Sequence, residues 1–237
     1  MKKILLILLI ISIFVFLGLK FGRELLIPGA VKKVRAPDIE EMQKEADESA
    51  KRYRSQLESA EKVRTNYEKL GRKYADRGSW TPAIECFTIA IGYGSVSADI
   101  HHILGASYAN RAKETGSKDD INMAESHYSK AISRNPEFLS AQYGLGLLVF
   151  YLKNDRHRGI EIMKELSARK PDFFEGRFAL GRFYYENGEA ARALPVYEAL
   201  YSALQGKKDS KATQEMRDDC KANITRIMSE LQTQKVK

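Results

Sequence analysis

A leucine–glycine pair that recurs at near-regular intervals from residue 70 onward limits the fold of this chain more than any other feature. It stands at Leu70-Gly71, Leu104-Gly105, Leu145-Gly146 and Leu180-Gly181, with spacings of 34, 41 and 35 residues. The first copy reads Tyr67-x-x-Leu70-Gly71-x-x-Tyr74, then a turn at Gly78-Ser79, then Ala83-x-x-x-Phe87-x-x-Ala90. Large and small residues alternate at helical spacing on both sides of the turn, which predicts a helix hairpin. Gly71 and Ala83 let the two helices approach closely, and Tyr74 and Phe87 fill the seam. The second copy continues with Tyr108, Ala124, Tyr128, Ala131 and Pro136. Its surplus of about seven residues falls between Arg111 and Asp120 and is expected in the turn between its helices. The third copy is more degenerate, with Val149, Gly159, Met163, Leu166 and Pro171, and the fourth has Tyr184, Ala193, Tyr197 and Leu200. One such hairpin cannot bury its own apolar face, whereas stacked copies can.

This series resembles the tetratricopeptide repeat, a helix pair of about 34 residues. Tyr67 stands where the family has Trp, and Ser95 where it has Pro. The resemblance covers Arg64 to Gly206. It implies an all-α solenoid of about four hairpins, at residues 64–97, 98–138, 139–173 and 174–207. It also implies that the first helix of each hairpin lines a concave surface where protein partners dock. The stripe two residues before each Leu then faces the groove: Glu68, Arg72 and Ala75; His102, Ala106 and Ala109; Tyr143, Leu147 and Phe150; Phe178, Arg182 and Tyr185. The residues assigned to a protein-binding groove are Arg72, His102, Tyr143, Leu147, Phe150, Phe178, Arg182 and Tyr185.

The run Tyr143–Tyr151 is apolar almost all round, so something must cover it. One occupant is a partner peptide, with Tyr143, Phe150, Phe178 and Tyr185 as anchors and Arg182 as a polar handle. The other is the chain's own N- or C-terminal helix. Relatives that clamp the carboxylate tail of chaperones use Lys and Asn on the groove. Glu68, Arg72 and the small Ala106 depart from that pattern and argue against tail binding here.

Ile4–Leu19 is an apolar run broken only by Ser12 and Gly18, behind the basic head Met1-Lys2-Lys3. Its 16 residues would span about 24 Å as a helix, short of a bilayer core of about 30 Å. Lys20 can snorkel to lengthen the span. Lys20 spoils the small-residue pattern that a signal peptidase needs, and no Cys follows the run. Residues 1–22 are therefore expected to be an uncleaved single-pass anchor, with a cleaved signal as the alternative. Basic residues flank the run on both sides, so the positive-inside rule divides. The three-residue head favours an extracytoplasmic body, periplasmic in a bacterium. Residues 23–37 form a basic linker broken at Pro28-Gly29, with Lys32, Lys33 and Arg35 suited to solvent or anionic headgroups alike.

Asp38 and Glu41 make a capping pair behind Pro37. From there Ile39, Met42, Ala46, Ala50, Tyr53, Leu57 and Ala60 step by threes and fours, and no breaker precedes about Ala75. Residues 38–63 are expected to form an amphipathic helix that packs on the array, stands as a stalk, or pairs two copies in a homodimer. Residues 211–233 carry a one-sided apolar stripe suited to a terminal cap. Pro195 is expected to kink the helix around it.

Catalysis finds no footing. The four histidines make no i, i+4 ligand pair, and the two cysteines, Cys86 and Cys220, make no CxxC and read as small core fillers. His101 and His102 are expected at the surface and the groove. No cofactor or metal is expected. The net charge of +8 permits nucleic-acid binding, but no reading helix or stacking motif accompanies it, so none is expected. Two functions follow: a membrane-anchored, non-catalytic scaffold that binds a partner peptide or helix in its groove, or a structural subunit that self-associates through the 38–63 helix with its groove filled by its own terminal helix.

Overall fold

The computed structural model describes residues 36–207 and 210–236. The expected anchor at residues 4–19 and the linker as far as residue 35 lie outside them. The described residues are helical, with no strand among them. The helices are α1 (Ala36–Asp76), α2 (Trp80–Gly92), α3 (Ala98–Thr115), α4 (Lys118–Arg134), α5 (Leu139–Leu147), α6 (Arg156–Arg169), α7 (Phe174–Glu186), α8 (Ala190–Gln205) and α9 (Lys211–Val236). A π-helical turn, Leu148–Leu152, prolongs α5. The chain divides into two units, Met1–Leu57 and Glu58–Lys237. The described part of the first is the N-terminal half of α1. The second holds the hairpins, in which each helix from α2 onward packs on the next and α9 closes against α8.

The four glycines occupy equivalent places. A Cβ at Gly71 would lie 2.9 Å from the Phe87 ring, at Gly105 2.9 Å from Tyr128, at Gly146 2.5 Å from Met163, and at Gly181 2.9 Å from Tyr197. In each hairpin a large side chain of the second helix therefore rests on bare backbone of the first, at a separation that a methyl group would forbid. The small residues Ala83, Ala124 and Ala193 are fully buried, and Gly159 takes the same place in the third hairpin. There the approach is closest, because a Cβ on Gly159 would meet the backbone of Phe150 at 3.0 Å.

The surplus in the second hairpin is not in its turn, as the sequence reading expected. Helix α3 runs on to Thr115, the turn is Gly116-Ser117, and α4 begins at Lys118. Seven residues equal about one extra helical turn on each arm. That length keeps both apolar stripes in phase, which a shorter insertion would not. Gly116 closes α3 in the left-handed conformation at φ +72°, and Ser117 accepts from the Asp120 N–H at 3.2 Å to open α4. The lengthened arms are tied by Arg111, whose Nε and Nη2 donate to the two oxygens of Asp120 at 2.7 and 2.6 Å. Helix α8 runs through Pro195 without a break.

The third hairpin departs from α-geometry. The N–H of Lys153 donates to Leu148 O at 3.0 Å, closing a five-residue step. The extra residue turns Phe150 inward, where it is 2% exposed and stacks on Phe183 at 3.9 Å between centroids. Asn154 then reverses the chain at φ 55°, a conformation Asn tolerates better than most residues.

Candidate functional site

The first helices of hairpins two, three and four, with Tyr128 of α4, line a cavity of about 390 Å³. Its floor is apolar and small: Ala106 and Ala109 from α3, Gly144 and Leu147 from α5, and Leu148 from the π-turn. Its polar groups are Asn110 and Lys113 from α3, Tyr151 from the π-turn and Arg182 from α7. Helical spacing brings Ala106, Ala109 and Lys113 to one side of α3, and the lengthening of that helix carries Lys113 onto the wall.

Three of the polar groups are held in place by neighbours. The Tyr151 hydroxyl donates to Glu186 Oε1 at 3.0 Å, and burial pushes its pKa up to about 12. The guanidinium of Arg182 lies 5.5 Å above the Tyr151 ring, and its Nε is 3.9 Å from Glu186. Lys113 reaches Asn110 Oδ1 at 3.3 Å. Among the described residues no carboxylate pairs with Lys113, and the buried Nε of Arg182 has no hydrogen-bond partner. The lining thus offers cationic and amide donors over an apolar floor and contains no carboxylate.

Of the eight residues assigned from sequence, Leu147 and Arg182 line this cavity. The other six lie elsewhere. Arg72 pairs with Asp99 across α1 and α3. His102 sits between the rings of Tyr128 and Phe138, at 6.0 and 5.0 Å, and burial lowers its pKa. Tyr143 meets Phe173 edge-on at 5.8 Å. Phe150 is a core residue and not a groove residue, because the π-turn rotates it inward. Tyr151, the next residue, takes the place expected of it and is 42% exposed.

Phe178 and Tyr185 face the chain's own C-terminal helix. Phe178 shares a hollow with Ala212, Glu215, Met216 and Asp219 of α9. The Tyr185 hydroxyl donates to Glu230 Oε1 at 2.6 Å, and Arg226 lies 4.4 Å over its ring. Cys220 and Ile227 of α9 are fully buried in the same cluster. Asn110, Lys113 and Tyr151 were missed in the sequence. Asn110 and Tyr151 each follow a stripe position by one residue, so a stripe one residue wider would have included them.

His101 is also misplaced by the sequence reading. It is 4% exposed, and its Nδ1 lies 3.0 Å from Nδ1 of His127, itself 7% exposed. One of the two nitrogens must donate and the other accept, so the contact needs at least one neutral ring. Tyr108 stacks on His127 at 5.6 Å. Burial, the partner ring and Lys130 hold the His127 pKa at about 4, and burial with Arg134 and Lys130 lowers that of His101. Among the described residues no three His, Cys, Asp or Glu side chains converge as a metal site would require.

The tetratricopeptide repeat family model matches residues 149–208. No curated protein matches the chain. Among solved structures, TTC0263, a thermophilic tetratricopeptide-repeat protein of Thermus thermophilus, is 20% identical over 75% of this chain and 93% of its own, with a TM-score of 0.56. MamA is 22% identical over 71% of this chain and 94% of its own, at 0.52. YrrB, described as a tetratricopeptide-repeat protein with an unusual peptide-binding site, is 15% identical over 70% and 81%, at 0.50. At these identities the likeness is one of fold.

Proposed function

The chain is a tetratricopeptide-repeat protein, and on that premise we propose that it is a non-catalytic scaffold holding one segment of a partner protein in the cavity between hairpins two, three and four, with residues 4–19 anchoring it in a membrane. The observation that carries the groove is its carboxylate-free lining, in which Lys113 and Arg182 stand with Tyr151 and Asn110 over the apolar Ala106, Ala109 and Leu147. A segment that brings an acceptor to Arg182 and an apolar side chain to Ala106, Ala109 and Leu147 would satisfy both halves of the site. YrrB is described as having a peptide-binding site, so the fold accommodates such a ligand. Tyr143, Phe178 and Tyr185 then serve as supports for the site and for the C-terminal cap, and direct contact passes to Leu147, Tyr151 and Arg182.

A photoreactive residue at Tyr151 is expected to crosslink one protein in intact cells. Leu147→Glu and Tyr151→Ala are each expected to lower recovery of that protein, captured from a crosslinker at Asn110, by tenfold or more with helicity unchanged. Lys164→Ala, on the exposed face of α6, is expected to leave it unaltered. Equal capture by all three variants would remove the groove from the reading.

The membrane reading rests on the apolar run Ile4–Leu19; among the described residues no helix is long and apolar enough to cross a bilayer. The full chain is expected to stay with membranes through an alkaline carbonate wash and to leave them when residues 1–22 are removed. Protease added outside the membrane should degrade the body if it is extracytoplasmic. Release of the full chain by the wash would overturn the anchor. A body protected in sealed, right-side-out cells stripped of their outer layers would overturn the orientation.

A second reading, self-association through the helix at residues 38–63, is favoured by a separate observation. Met42, Tyr53 and Leu57 are 67%, 63% and 52% exposed on one face of α1.

A further inference from the structure

From Glu40 to Ser59 every residue of α1 is exposed. Met42, Ala46, Tyr53 and Leu57 lie on one side of this stretch, since steps of four, seven and four residues return to nearly the same face. The charges along the same stretch are divided. Residues 40–48 hold Glu40, Glu41, Glu45, Asp47 and Glu48 against Lys44 alone, while residues 49–57 hold Lys51, Arg52 and Arg54 and no carboxylate. No ion pair joins any of these charges among the described residues. The helix dipole accounts for acidic residues in the first turn, but its influence fades within one turn and does not reach residues 51–54 in a helix that ends at Asp76.

The division has a centre. Let each residue n be set opposite residue 99 − n of a second copy running the other way. Met42 then meets Leu57, and the small Ala46 meets the large Tyr53. The acidic residues 40–48 of each copy then run alongside the basic residues 49–57 of the other, and beside the apolar face Glu45 shares a flank with Arg52 of the second copy and Asp47 with its Arg54. Ser49 meets Ala50 at the axis. One like-charge pair, Glu41 with Glu58, falls at the margin. A parallel pair in register would instead oppose acid to acid and base to base along the whole stretch, which is unfavourable at every step.

We infer that the exposed half of α1 is a docking surface for a second copy of this chain, bound antiparallel about a twofold axis between Ser49 and Ala50. The axis makes the contact isologous, so each apolar residue and each charge is used twice. Eighteen residues give about 27 Å of helix, short for a free coiled coil. Confinement of both copies to one membrane raises their effective concentration and favours the pair. The 13 residues from Arg23 to Arg35 can reach about 43 Å at full extension, more than the length of the contact, so both chains can keep their anchors in one bilayer. The inference rests on the self-association reading and is independent of the groove.

The test uses the full chain in detergent micelles, with the buried Cys86 and Cys220 left in place. Met42→Cys and Leu57→Cys chains carrying different tags are oxidised separately and as an equimolar mixture. The mixture is expected to give a disulfide between the two tags at fivefold or higher yield than either variant gives with itself, and Ala50→Cys is expected to pair with its own copy. Salt at 1 M is expected to lower the mixed product. Glu45→Arg with Asp47→Arg should abolish the self-pair, and mixing that chain with Arg52→Glu, Arg54→Glu should restore it. Disulfides of Met42→Cys with itself and Leu57→Cys with itself would overturn the antiparallel register while leaving self-association standing. A monomer with no product in any mixture would overturn both.

Discussion

Acidification from pH 7 to pH 5 is expected to lower the stability of the hairpin array by about 2 kcal/mol, and by about 3 kcal/mol as the pH approaches 4, through the His101–His127 contact alone. The sign follows from the direction of the shift. An unfolded histidine titrates near 6.5, whereas folded His127 titrates at about 4. Between those values the unfolded chain binds the proton and the folded chain does not. The stabilisation is therefore complete above pH 6.5 and is lost as the pH falls toward 4. The cause is geometric before it is electrostatic: two ring nitrogens 3.0 Å apart cannot both carry protons, and Lys130 and Arg134 repel any charge that forms. The carboxylates held below their ordinary range, Glu125 by Lys153 and Arg158 and Glu189 by Asn187 and Arg192, lose their contribution only below about pH 4.5. The interval from 6.5 to 5 thus isolates the imidazoles. Urea midpoints across that interval give the measurement. His127→Gln keeps a hydrogen-bonding group beside His101 but cannot titrate, and is expected to remove more than half of the slope. A midpoint independent of pH from 7 to 5 in the unaltered chain would contradict the contact.

Replacing Asp120 by alanine is expected to destabilise the same hairpin by about 3 kcal/mol. Asp120 is 7% exposed and accepts two bonds from Arg111. Breaking a largely buried pair leaves the surviving charge without an acceptor, an effect of about 3–5 kcal/mol when no water can reach it. Arg111 is about a quarter exposed, so the lower end applies. Asp120→Asn keeps the shape and one acceptor and should recover about half of the loss. A double variant, Asp120→Ala with Arg111→Met, is expected to be more stable than Asp120→Ala alone, because the stranded guanidinium is gone. Thermal or urea unfolding of the four proteins decides it, and a stability of Asp120→Ala equal to that of the unaltered chain would show the pair to be a surface ornament.

Both predictions concern residues whose partners the sequence did not reveal, and the reason is physical. The Leu-Gly pairs were legible because a glycine under an aromatic ring is a local arrangement: Gly105 and Tyr128, or Gly181 and Tyr197, sit in one hairpin and repeat at fixed spacing. The contact of His101 with His127 joins two helices across the long second hairpin, and no period marks it. The cavity was legible only in part. Leu147 and Arg182 fall on the stripe that straight α-helical spacing predicts. Phe150 does not, because that spacing assumes 3.6 residues per turn and the π-turn at Leu148–Leu152 inserts one more. Tyr151 lies four residues after Leu147 and seven after Gly144, so ordinary helical spacing already carries it to the cavity face. Phe178 and Tyr185 were assigned to a partner peptide, with the chain's own terminal helix as the alternative, and the helix opposite them belongs to this chain. An apolar face in a sequence shows that something will cover it without saying what.

The extra turn on each arm of the second hairpin also changes what the cavity can select. In a repeat of ordinary length the first helix would stop near Arg111, and the wall would end in the neutral side chain of Asn110. Because the helix runs on to Thr115, an ammonium group stands at the rim instead. Change in the length of one arm has therefore altered the charge of a neighbouring recess without replacing any residue inside it, a route by which stacked-helix proteins can diversify their tastes while their seams stay fixed.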